Sequence, residues 1–311
     1  MDAIAEAFEA YAGQKACAVQ KFAHPTNNSV YKVETVCGAY IFKVYAAKGW
    51  PEDGKRLFVN QKLKEYKIPH AEIVACGCGD ETFPAGYLIE ECLPGTTADR
   101  LQLSGHDALQ FYKKLAALVS RVHQIKLTNY GYIGDGAPDF AWTTFSEFAY
   151  DCLGDYAVQL VEKNRIAADD FEMIAQEIRK QARICDAAPA VLNHGDLSLK
   201  NMLVHAGGIT LIDWDDAHSL CWMDDIALLT LLMKWEYDSD TAGIYRKAFL
   251  DSYETEHDKN IFYEAEDILH VRHGLEHLVF FDGKPQFARI NTILQESLKR
   301  CGMRVPLSLK G

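Results

Sequence analysis

The chain has 311 residues, 49% hydrophobic and 24% charged, which is enough for a substantial buried core and ordinary for a folded globular protein. A formal net charge of -12 makes the chain a poor candidate for general nucleic-acid binding, which needs basic surface. Nine scattered cysteines with no CxxC pair argue against a structural zinc site and for free thiols in a reducing cytoplasm, the acidic start Met1-Asp2-Ala3 does not read as a secretion signal, and no apolar run is long enough to span a bilayer.

In chain order, the spacing of Ile4, Phe8 and Tyr11 predicts a helix over 3–11. Strands are predicted at 16–22, 30–35 and 40–45, the last two joined by a hairpin signal at Cys37-Gly38. A helix follows over 56–66 and stops ahead of Pro69. Two more strands are predicted at 71–76 and 86–90. Leu93-Pro94-Gly95 then punctuates the chain, and beyond it the pattern turns helical, at 107–124, 144–162, 169–182, 223–235, 242–253 and 262–281. A small β region interrupts these helices at 190–193, 202–205 and 209–213, the last two as a hairpin around Ala206-Gly207-Gly208. The fold class is α+β with two domains, 1–92 rich in strands and 93–311 mostly helical.

The chemistry concentrates in His194-Gly195-Asp196-Leu197-Ser198-Leu199-Lys200-Asn201, which follows the apolar run Ala190-Val191-Leu192. Asp213 ends the apolar strand Ile209-Thr210-Leu211-Ile212. Together they offer a loop carboxylate, an amide oxygen and a second carboxylate at a strand end. Phosphoryl transfer needs such a set, because its transition state spreads negative charge over oxygens and the protein supplies positioning, metal ions and cations. Asn201 and Asp213 are hard oxygen ligands suited to Mg²⁺, and Asp196 suits the acceptance of a proton from a substrate hydroxyl. Lys43 sits among apolar neighbours in Tyr40-Ile41-Phe42-Lys43-Val44-Tyr45. It would need anionic partners there, and taken alone it fits an edge-strand lysine equally well. His273 and His277 flank Glu276 in an H-x-x-E-H order, but the apolar run around them reads as a packed helix with no third ligand.

The spacing H-G-D-x-x-x-x-N, followed by a strand ending in Ile212-Asp213-Trp214-Asp215, resembles the aminoglycoside phosphotransferase and choline kinase families, small-molecule kinases of protein kinase-like fold. Three further stretches are similar to that family: Val30-Tyr31-Lys32-Val33, Glu90-Glu91-Cys92-Leu93-Pro94-Gly95 as an interlobe linker, and Asp225-Ile226-Ala227. The resemblance covers residues from about Ala16 to Ala227 and leaves the last eighty residues without a motif.

The resemblance implies a bilobal fold, with a five-stranded antiparallel N-lobe carrying one main helix and a helical C-lobe. It implies an enzyme that uses ATP and Mg²⁺ to phosphorylate a hydroxyl of a small molecule. Asp196 would be catalytic, Asn201 and Asp213 would hold metal, and Lys43, Asn28, Ser29, Glu90 and Cys92 would bind the nucleotide. The loop before Val30 has no GxGxxG, and exposed amides over 25–31 would form an anion nest instead. Asp215 would lie near metal or substrate, with His194, His123 and Asp225 as structural supports.

The acceptor would be a cationic molecule such as an aminoglycoside. Choline or ethanolamine, a sugar, an amino acid, or a non-catalytic nucleotide-binding role are the alternatives, and neither nucleic acid nor membrane is an expected partner. Kinases pair the third-strand lysine with a glutamate on the next helix; here that helix has only Glu65, near its end, and Glu52 precedes it, so the partner of Lys43 stays unassigned.

Overall fold

The protein is described from a computed structural model over residues 2–22, 28–49, 51–134 and 142–305. Elements in chain order begin with helix α1 (Asp2–Ala12) and strands β1 (Ala18–Lys21), β2 (Ser29–Glu34) and β3 (Ala39–Val44). Helix α2 (Asp53–Glu65), strands β4 (Ile73–Gly77) and β5 (Tyr87–Glu91) and the short β6 (Thr96–Thr97) follow. Then come α3 (Gly105–Val122), β7 (Gly131–Tyr132), α4 (Phe145–Asp151), α5 (Gly154–Glu162), α6 (Ala168–Gln181) and β8 (Ala190–Asn193). The hairpin β9 (Met202–His205) and β10 (Gly208–Leu211), strand β11 (His218–Cys221) and helices α7 (Trp222–Glu236), α8 (Ser239–Ser252), α9 (Asn260–Phe280) and α10 (Phe287–Arg300) complete the chain.

The chain divides into two units. The first takes in Met1–Leu101 together with Leu199–Asp216, and the second takes in most of the remainder. The first unit thus takes in a segment from well beyond residue 101. The reason is strand pairing: β6 joins β9 and β10 in a small three-stranded sheet, which ties a segment beyond residue 198 to the N-terminal unit.

In the first unit the main sheet runs β1-β2-β3-β5-β4, antiparallel throughout. Strand side chains alternate between faces, so each strand serves two environments. Val33, Phe42 and Ile89 point to one face and pack with Ile4, Ala7 and Phe8 of α1 and with Phe83. Ile41, Lys43, Leu88 and Glu90 occupy the other face and line a cavity. The α1 amphipathic pattern thus covers one side of the sheet and leaves the other side for a site.

In the second unit β8 pairs with β11, and β11 pairs with β7. Around this sheet α3 packs with α8, and α7 and α10 pack against α9. One helix expected over 144–162 is instead α4 and α5; α4 packs on α6, and α5 packs on α9 as well as α6. Helix α10 lies beyond 262–281, the last helix with stated expected bounds. Its buried Ile290, Ile293, Leu294 and Leu298 form one face, and Gly274 of α9 allows close approach to Leu294. Among the described residues no helix is long and apolar enough to cross a membrane.

Candidate active site

The β9–β10 hairpin brings the backbones of Asn201 and Asp213 near each other. Met202 pairs with Leu211 at its open end, and the ladder continues as the Ile212 N–H donates to the Asn201 carbonyl at 3.0 Å. Asn201 and Asp213, a dozen residues apart in sequence, therefore come to the same end of the hairpin, with Asp213 one residue beyond the one that bonds Asn201. Asn201 is buried. Asp213 adopts a φ of 63°, a left-handed conformation that a residue with a Cβ enters at a cost of roughly 1–2 kcal/mol. That turn redirects the chain out of the strand into the Trp214–Asp216 turn.

Lys43 reaches this turn from β3. Its Nζ lies 2.7 Å from Asp213 Oδ1 and also pairs with Asp215, while the Tyr45 hydroxyl donates to Asp215 Oδ1 at 3.2 Å. Burial disfavours the ammonium, but Asp213 and Asp215 outweigh it and hold the Lys43 pKa above the usual lysine value. Burial raises the Asp215 carboxyl even though Lys43 opposes the shift. The carboxylates missing from the sequence reading of Lys43 are thus Asp213 and Asp215. Helix α2 instead turns Lys55 and Arg56 inward.

Arg56 is buried, pairs with Asp53, and stacks with its guanidinium 4.6 Å from the Tyr45 ring centre. Its Nε and Nη1 find no partner among the described residues. Burial lowers Lys55 to about 8 against the pull of Asp216, Asp215 and Glu52.

The cavity in this unit measures about 780 Å³, and Ile41, Lys43, Arg56, Leu88, Glu90 and Asp213 are among its walls. Ser29 pairs with Val44 beside Lys43, and the Asn28 side chain accepts from the Ala46 N–H at 3.1 Å. Residues 23–27, which include the first three positions of the expected phosphate loop, lie outside the described residues. The Cys92 N–H donates to the Ala39 carbonyl at 2.9 Å, so that donor is already engaged within the sheet.

Asp196 stands in the second unit, on the loop that leaves β8. Gly195 before it has a φ of 81°, which favours glycine. Buried Asp225, at the start of α7, holds this loop. Its Oδ2 accepts from the His194 N–H at 2.7 Å and its Oδ1 from the Gly195 N–H at 2.9 Å. His123 lies 3.3 Å from Asp225 through Nε2 and 2.7 Å from the Tyr253 hydroxyl through Nδ1. Burial would raise the Asp225 carboxyl, but His123 and the loop amides lower it.

A second network in this unit joins α7 to α9. Arg272 Nη1 donates to Asp224 at 2.9 Å, and His273 lies 3.4 Å from Asp224 and 3.8 Å from Glu276. Burial opposes both charged forms, yet the ion pairs hold Asp224 down at about 2 and raise His273 to about 9. His277 Nδ1 lies 2.9 Å from the His273 carbonyl.

Comparison with known proteins gives the chain a family. Residues 18–262 match the phosphotransferase enzyme family, APH. The chain belongs to that family. No curated protein matches it significantly. Solved structures of this phosphotransferase fold are similar over nearly the whole chain. A candidate fructosamine-3-kinase from Thermobifida fusca is 17% identical, with a TM-score of 0.68, covering 97% of this chain and 99% of that one. A thermostable mutant of an aminoglycoside phosphotransferase, in ternary complex with ADP and hygromycin B, is 16% identical with a TM-score of 0.66, covering 96% and 95%. A candidate fructosamine-3-kinase from Haemophilus somnus is 14% identical with a TM-score of 0.66, covering 96% of each chain.

Within this phosphotransferase fold, the sequence reading missed Arg56, Lys55, Tyr45 and the Asp224–Arg272–His273 network. No short motif marks any of them. Asp224 and Arg272 are 48 residues apart, and only the packing of α7 on α9 makes them neighbours.

Proposed function

We propose that this phosphotransferase is a small-molecule kinase that moves the γ-phosphoryl group of a purine nucleoside triphosphate to a hydroxyl of its acceptor. The observation that carries this reading is Lys43 on Asp213 and Asp215 at the wall of a cavity, with Asn201 beside Asp213. A cation and hard oxygen ligands at one end of a cavity of that size suit the phosphates of a nucleotide. Asn201 and Asp213 would hold Mg²⁺, a metal that accepts few protein ligands and, when bound, neutralises charge on phosphate oxygens. Lys43 would exchange its carboxylates for phosphate oxygens. Asp196, on the loop that Asp225 secures, would accept the hydrogen bond of the acceptor hydroxyl and take its proton.

Residues 1–92 would serve the nucleotide, joined by Asn201 and Asp213 of the hairpin segment, and the rest of 93–311 would serve the acceptor, with Asp215 placed to meet metal or substrate. The finer reading is a cationic acceptor such as an aminoglycoside. Its support is the acidity of the chain, net -12, and the hygromycin B bound by one similar structure. The free cysteines suit a cytoplasmic setting.

The test is a panel of amine-bearing and neutral hydroxyl acceptors with labelled nucleotide. Turnover of at least one acceptor, lowered by roughly 10²–10⁴ in Asp196→Asn while nucleotide binding is kept, is the expected result. Undiminished turnover in that variant would overturn the mechanism. Turnover of neutral acceptors alone would overturn the cationic reading.

A further inference from the structure

The cavity face of β5 carries a carboxylate that the reaction above does not use. Glu90 pairs with Ile41 of β3 and Ile73 of β4, so it shares a sheet face with Leu88 and Lys43. It is half-buried and lines the cavity. Among the described residues, no hydrogen bond or ion pair reaches its side chain; only longer-range charges act on it. Burial pushes its pKa up to about 7, with Asp213 and Asp215 acting in the same direction and Lys43 against them. A carboxylate so enclosed lacks the donors it needs, and a ligand filling the cavity can supply them.

Its place along the sheet says which part of a nucleotide would do so. Lys43 pairs with Leu88, at the end where Asp213 and Asp215 gather. Glu90 lies one pleat repeat, roughly 7 Å, farther toward the linker. With phosphates at Lys43, the base comes to Glu90. The Cys92 N–H nearby is already donated to Ala39, which leaves the carboxylate as a prominent polar group for the base edge. Lys43, Arg56, His70, Cys92, Asp213 and Asp215 are among the titratable or charged groups that line the same cavity.

We propose that Glu90 reads the purine edge and that guanine nucleotides bind this cavity more tightly than adenine nucleotides. This inference rests on the nucleotide reading above. A carboxylate offers two acceptors side by side. Guanine presents two adjacent donors, N1–H and the N2 amino group, and satisfies both. Adenine presents one donor, the N6 amino group, beside the N1 lone pair, which would face a carboxylate oxygen. The unpaired acceptor then discriminates against adenine.

The experiment is calorimetric titration of the full chain with GDP, IDP and ADP in the presence of Mg²⁺, at about pH 8.5, where Glu90 is ionised. In the wild-type protein GDP binds about tenfold or more tightly than ADP, with IDP, which lacks the N2 amino group, between them. Glu90→Leu brings the GDP/ADP ratio to near one. Glu90→Gln, which has nearly the same shape and offers one donor and one acceptor, turns the preference toward ADP. A wild-type protein that binds ADP as tightly as GDP overturns the proposal. So does an unchanged ratio in both variants while their thermal unfolding matches wild type. If neither GDP nor ADP binds the wild-type protein, the nucleotide reading fails as well, a result distinct from a lost preference.

Discussion

Lys43 Nζ lies 2.7 Å from Asp213 Oδ1, across 170 residues of sequence. The contact binds the third strand of the main sheet to the end of the β9–β10 hairpin. The N-terminal unit is therefore completed by a segment synthesised long after its sheet, and its stability and its site share one ion cluster.

Removing the lysine leaves Asp213 and Asp215 close together without their counter-charge. Lys43→Met should lower stability toward the low end of the about 3–5 kcal/mol seen when a buried pair loses one partner, since Asp213 is partly open to water. Urea unfolding measures this. Adding Asp215→Leu to Lys43→Met should recover part of the loss, because the second change removes a like charge.

Asp225 acts on the loop that leaves β8 through the backbone. Its two oxygens accept from consecutive amides, of His194 and Gly195. Asp225→Ala should cost roughly 3 kcal/mol or more, since it leaves buried donors unmatched. Hydrogen exchange at those two amides should accelerate more than exchange in the main sheet of the first unit. Equal acceleration everywhere would indicate global loosening rather than loss of a local support.

The Asp224–Arg272–His273 network makes stability depend on pH at both ends. His273 has a folded pKa of about 9, above its ordinary 6.5, so its contribution is full below 6.5 and is lost as pH rises through 9. Asp224 has a folded pKa of about 2, below its ordinary 3.8, so its contribution is present above 3.8 and is lost as pH falls through 2. Stability from this network is greatest between those limits. His273→Gln should flatten the decline between pH 6.5 and 9, by an amount on the order of 1–3 kcal/mol in denaturant unfolding across that range.

Gly195 holds a φ of 81° between His194 and Asp196. Gly195→Ala should destabilise by roughly 1–2 kcal/mol, the cost of placing a Cβ in the left-handed region. If the proposed mechanism holds, it should also lower kcat more than the nucleotide Kd, because the displaced group is Asp196 rather than the cavity wall. Steady-state kinetics together with nucleotide titration separates the two.

Much of the fold was legible because its signals are local. Alternation marked β2, β3 and β5, and 3.6-residue spacing marked α3, α6, α7 and α9. Where neighbours rather than spacing decide, the reading failed. Strand β11 exists because β8 offers an antiparallel edge, and beyond the break after α4, α5 packs on α9 as well as on α6. Helix α10 did carry a readable apolar face in Ile290, Ile293, Leu294 and Leu298.

The sequence by itself determined the family-type loop, His194 to Asn201, and the strand ending at Asp213, since chemistry that needs fixed spacing writes itself into short motifs. Only the tertiary structure decided what Lys43 pairs with, what secures the loop amides, and which face of β5 meets the cavity. Those are contacts between residues far apart in the chain. Charge balance and burial select them only after the sheet, the hairpin and the helices have packed.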